Sequence, residues 1–111
     1  MATITDEYMK EKLTETKPYT VVILKKGSGY KMPEVYPTIW EHARKNFSLK
    51  VDGLLNVVCP INDGTELAGV GIFSTDNEQT KKIMDEDPAV KAGILVYEIH
   101  PTKSFPGSSL P

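Results

Sequence analysis

The stretch Leu54–Ser74, LLNVVCPINDGTELAGVGIFS, decides the fold. Leu54–Cys59 is aliphatic and β-branched and reads as a strand. Asn62-Asp63-Gly64 is a hairpin-type turn signal inside the loop Pro60–Thr65. Leu67–Ser74 reads as the next strand, with Gly69 and Gly71 alternating along one face. Glycines so placed suggest a close approach of backbone or ligand. Two strands joined this way form an antiparallel pair, and what flanks the pair sets the topology.

Upstream, Ile39, Trp40, Ala43 and Phe47 share one helical face and predict a helix over 38–49. Pro37 suits its first turn, and Asp52-Gly53 marks its exit. Before it, Gly27–Pro37 holds two Gly and two Pro and reads as a loop. Tyr19–Lys26, with Val21, Val22 and Ile23, reads as a strand. Downstream, Thr75-x-x-Glu78 is a capping-box pattern that starts a second helix, which must end before Pro88. Gly93–His100 is the last strand, closed by Pro101. The order is β-α-β-β-α-β, the ferredoxin-like arrangement of the α+β class. It places two helices on one face of a four-stranded antiparallel sheet. Residues 1–17 read as a polar N-terminal arm, 18–103 as the domain, and 104–111 as an extended tail.

A chain of 111 residues is one domain, and its 40% apolar content is too high for disorder throughout. A net charge of -2 provides no basic footprint, so nucleic acid is not an expected partner. The longest apolar runs, Val21–Leu24 and Ile94–Tyr97, are far too short to span a bilayer. The start, MATITDEYMK, lacks the apolar stretch of a secretory signal. The single cysteine, Cys59, forms no intrachain disulfide and no Cys-based zinc cluster, which fits a reducing, cytoplasmic setting. His42 and His100 belong to no local metal-ligand spacing, so no metal is expected. The segments VVIL, LLNVV and ILVY are apolar on both pleats, whereas a sheet with one wet face alternates. With no helix left to cover the second face, a homodimer packed sheet to sheet is expected.

Few residues offer chemistry. With Ile39 at 0°, His42 falls at about 300° and borders the apolar stripe of the first helix. It reads either as a boundary residue of the core or as an imidazole reaching a cleft, able to act near neutral pH. Asp87 follows Asp85 and Glu86 at the end of the second helix, where carboxylates oppose the macrodipole. It reads either as a solvated turn or as the partner of His42, fixing the tautomer of an acid/base dyad. Asn56 interrupts an apolar strand and must satisfy its amide, in a ligand cavity or across a dimer. Cys59 reads as a buried, inert thiol. Gly27-Ser28-Gly29 is a plain turn, since it lacks a Walker lysine. No Gly-x-Ser-x-Gly element or base-stacking strand motif is present.

Three segments together suggest a family: Glu41-His42 in the first helix, Asp52-Gly53-Leu54-Leu55, and Asp87-Pro88-Ala89-Val90-Lys91-Ala92-Gly93 before the last strand. This combination, spread over Tyr19 to Phe105, resembles the YCII-related proteins. The resemblance implies a dimeric α+β barrel with a His–Asp site, carried here by His42 and Asp87. Some relatives are lyase-like or dehydrochlorinase-like, and most have no assigned reaction. The chain departs from the pattern at Cys59-Pro60, where Gly-Pro is usual, and at Ala89, where an aromatic is common. The leading expectation is a cofactor-independent acid/base enzyme, of lyase or isomerase type, acting on a small organic acid or lactone. His42 would move the proton, Asp87 would orient it, and Asn56, Gly69 and Gly71 would shape the pocket. The alternative is a non-catalytic homodimer that binds a small-molecule ligand or regulates.

Overall fold

The computed structural model describes residues 1–111. The elements are α1 (Asp6–Leu13), β1 (Lys17–Lys26), α2 (Val35–Val51), β2 (Leu55–Pro60), β3 (Leu67–Phe73), α3 (Asn77–Asp85), α4 (Pro88–Lys91) and β4 (Leu95–Ser104). The sheet is antiparallel throughout, in the order β2-β3-β1-β4. That is the ferredoxin-like order expected from the central strand pair.

Strand register separates the two faces. On one face Val22 lies opposite Gly71 and Ile99, and Thr20 lies opposite Phe73. Met84 of α3 packs on this face, in a buried cluster with Val22, Leu55 and Phe73. A second cluster, Ala89, Ile94 and Leu95, joins α4 to the start of β4. On the other face Val21 lies opposite Ile72, and Ile23 opposite Val70. Nothing in the chain covers that face, and Val96 at its edge is 48% exposed. No helix is long and apolar enough to cross a membrane.

Local boundaries depart from expectation for identifiable reasons. The polar N-terminal stretch contains a helix, α1, because Thr5 caps it by accepting from the Tyr8 N–H at 3.2 Å. None of its residues is buried. The α3 capping box sits one residue later than expected. Asp76, not Thr75, accepts from the Gln79 N–H at 2.8 Å, and the Gln79 side chain returns the bond. Thr75 instead bonds the buried Thr80 hydroxyl at 2.6 Å. Pro101 does not close β4; it pairs with Thr20 and the strand runs on to Ser104. β4 is an edge strand, where a missing N–H costs no ladder bond.

The apolar stripe of α2 is not buried as a unit. Ile39 and Ala43 are half-buried, while Trp40 and Phe47 are 55% and 69% exposed. No residue of α2 is fully buried. Its inward side looks across an open space at the sheet. Opposite it, the Gly27–Gly29 turn is bound to the end of α4. The Gly27 N–H donates to Ile94 O at 2.7 Å and the Gly29 N–H to Gly93 O at 3.0 Å. A Cβ on Gly27 would stand 2.4 Å from Gly93 O, so only glycine fits there.

Candidate active site

The space between α2 and the sheet is a cavity of about 570 Å³, and 15 of its 22 lining residues are hydrophobic. That apolar excess suits a small organic ligand oriented by a few polar groups. Val22, Leu24, Leu55, Phe73 and Leu95 line the sheet side, with Met84 from α3. Gly69 and Gly71 form part of the floor, and both are buried. They owe their identity to crowding as well as to the cavity. A Cβ on Gly69 would lie 3.1 Å from Cys59 O, and one on Gly71 would lie 3.2 Å from Leu55 Cδ1.

α2 supplies the polar groups. His42, Asn46 and Lys50 are spaced at i, i+4 and i+8, one turn apart on the cavity side. Ile39, Ala43 and Phe47 alternate with them. The His42 side chain is 12% exposed. Its Nδ1 lies 2.7 Å from Oδ1 of Asp87, whose side chain is 3% exposed. The other Asp87 oxygen, Oδ2, accepts from the Ala89 N–H at 2.9 Å and the Val90 N–H at 3.2 Å. Asp87 is therefore the N-cap of α4, with Pro88 at the first helical position. The expectation that it closes α3 against the helix dipole is corrected. A short helix begins at Pro88, and Asp87 sits at its favourable end.

These contacts assign the tautomer. The Asp87 carboxylate accepts, so Nδ1 carries the proton, and Nε2 accepts from the Asn46 amide nitrogen at 3.3 Å. Burial on its own raises the Asp87 carboxyl. The hydrogen bond and charge of His42, with the two backbone N–H groups, outweigh it and hold the carboxyl below its ordinary range. Behind the pair, the Lys45 ammonium donates to Ile83 O and ties α2 to α3. Burial lowers its pKa, with Asp87 and Glu86 pulling the other way. An imidazole oriented by a carboxylate in this way is able to act as a general base.

Of the residues singled out in sequence, His42, Asp87, Gly69 and Gly71 come together here. Asn56 does not line the cavity. A bulge between Leu55 and Val57 turns it out of the strand alternation, and its exposed amide donates to Gly53 O at 3.2 Å. Cys59 is exposed rather than buried, because β2 is an edge strand, and it borders the cavity beside Pro60. Asn46 and Lys50 were not singled out. Their signal was the four-residue spacing from His42. No group of three or more His, Cys, Asp or Glu side chains is arranged to hold a metal ion.

No protein-family model matches the chain, and no curated protein matches it. Among solved structures, the chain is similar to 5-chloro-2-hydroxyhydroquinone dehydrochlorinase (TftG) from Burkholderia phenoliruptrix AC1100, in complex with 2,5-dihydroxybenzoquinone. Identity is 16%, the match covers 73% of this chain and 90% of that one, and the TM-score is 0.49.

Proposed function

We propose that the chain is an acid/base enzyme of lyase or isomerase type, YCII-like in its site, acting on a small organic acid or lactone. The observation that carries this reading is the 2.7 Å contact between His42 Nδ1 and a buried Asp87 carboxylate, at the wall of an apolar cavity. His42 Nε2 takes a proton from a carbon next to the substrate's carbonyl or carboxyl group. The imidazolium formed keeps its Nδ1–H bond to Asp87. That proton then returns to a different carbon, which isomerises the substrate, or to a leaving group as it departs, which makes the reaction a lyase step. Side chains perform both transfers, and no cofactor is needed. Assistance of this kind contributes ~10²–10⁴-fold in rate.

The same reading includes a homodimer. Val21, Ile23, Val57, Val70 and Ile72 share the uncovered sheet face, and a second copy offers a matching apolar surface. The test of the chemistry is deuterium wash-in. The chain is incubated in D₂O with a panel of small unsaturated acids and lactones, and exchange next to the carbonyl is followed by NMR. Exchange by the native chain and none by His42→Gln is expected. Binding without exchange across the panel favours the second reading, a non-catalytic ligand-binding dimer, which the mainly hydrophobic lining also supports.

A further inference from the structure

We infer that Lys50 is the anion receptor of the cavity, so that the ligand is an elongated organic acid and not a neutral lactone. This rests on the acid/base reading and narrows its substrate class.

Three observations carry it. Lys50 lines the cavity, and no Asp or Glu does. Asp87 stands behind His42, with its oxygens already committed to the imidazole and the start of α4. Lys50 also forms no ion pair within the chain, as most of its lysines do not, so its charge is free to meet a ligand. Lys50 is exposed, so solvent partly screens its charge, but it is the only Lys or Arg among the lining residues and the one fixed cation that an anion in this apolar space meets. Finally, His42 and Lys50 are two turns apart on one side of α2, an axial separation of about 12 Å. Ala43 and Phe47 lie between them along the wall. A ligand with its carboxylate at Lys50 lays an apolar body past Ala43 and Phe47, and presents a second carbonyl group at its far end, with the acidic carbon beside it, to His42 Nε2 and the Asn46 amide. A compact lactone reaches one end only.

The test is calorimetric titration of the full chain with cinnamate and with cinnamamide, which share shape and differ in charge. The native chain binds cinnamate about tenfold more tightly or better. Lys50→Met abolishes the preference, Lys50→Arg keeps it, and Lys50→Glu reverses it. Lys50 is exposed, so these variants place no strain on the core. Equal affinity for the two probes, a preference that survives Lys50→Met, or binding of neither at millimolar concentration each overturns the inference. Deuterium wash-in separates it from the chemistry. Exchange without a charge preference keeps the base and removes the receptor. A charge preference without exchange keeps the receptor and removes the base.

Discussion

Asp87 holds His42 with one carboxylate oxygen and caps α4 with the other. A helix start and an imidazole thus share one buried group, and the orientation of that imidazole is tied to the folding of the last crossover. The two roles separate in substitutions.

Asp87→Ala removes the cap and the imidazole's acceptor together, and is expected to cost about 2–4 kcal/mol in urea unfolding. Asp87→Asn keeps the shape, retains part of the capping, and costs about 1–2 kcal/mol. Both lower wash-in activity by about 10²–10⁴-fold, because Nδ1–H loses its charged acceptor. A loss of activity in Asp87→Asn larger than its loss of stability explains is the mark of an orienting role.

The pH dependence follows from the direction of the Asp87 shift. Its native carboxyl lies below the ordinary value of 3.8, so the unfolded chain binds the proton more readily. The resulting stability is fully present above that ordinary value and is lost as pH falls through the native one. Urea midpoints of the native chain and Asp87→Asn therefore differ at neutral pH and converge in acid. A gap that persists well below the ordinary carboxylate range contradicts this.

At the alkaline end Tyr97 behaves in the opposite sense. Burial, together with the bond its hydroxyl donates to Asp85 at 2.6 Å, pushes it up to about 12 from 10.0. Its contribution is present below 10.0 and fades as pH rises toward the native value. Tyr97→Phe is expected to flatten the decline in thermal midpoint over that window.

Two glycines in one turn give a graded test of packing. A Cβ on Gly27 meets Gly93 O at 2.4 Å, whereas one on Gly29 meets it at 3.2 Å. Gly27→Ala must move backbone and is expected to cost about 2–3 kcal/mol, and Gly29→Ala under about 1 kcal/mol. Thermal melts of the two variants check the order.

The proposed pairing is read by analytical ultracentrifugation. The native chain is expected at twice its 12.3 kDa mass. Ile72→Glu places a charge in the middle of the uncovered face and returns it to the single-chain mass. A native chain that sediments as one copy at micromolar concentration refutes the sheet-to-sheet dimer.

Much of this architecture was legible from periodicity. The pair LLNVVC and LAGVGIFS, set between two helical patterns, predicts a ferredoxin-like four-stranded antiparallel sheet, which the structure builds in the order β2-β3-β1-β4. Features set by single residues were harder. α3 does end before Pro88, but the short helix that follows is not signalled by this reading, although Asp before Pro is equally a cap followed by a first helical residue. What decides between a stop and a cap is whether apolar positions resume afterwards, and Ala89 does so. Asn56 was misplaced because a bulge resets the strand alternation and leaves no mark in hydropathy. The contact of His42 with Asp87 spans 45 positions, and only the folded sheet brings them together. Trp40 and Phe47 lie on the same stripe as Ile39, yet α2 stands over a hollow rather than on a packed core.

The bare floor at Gly69 and Gly71 has a consequence for how such a chain can change. A Cβ added there crowds Cys59 O or the Leu55 side chain, which must give by a few tenths of an ångström, and anything larger would fill the chamber from below. The opposing helix carries its contacts on a surface with no fully buried residue, where replacements are tolerated. Diversification toward new ligands is thereby channelled to Ile39, Ala43, Asn46, Phe47 and Lys50, a five-position library that leaves His42 and Asp87 in place.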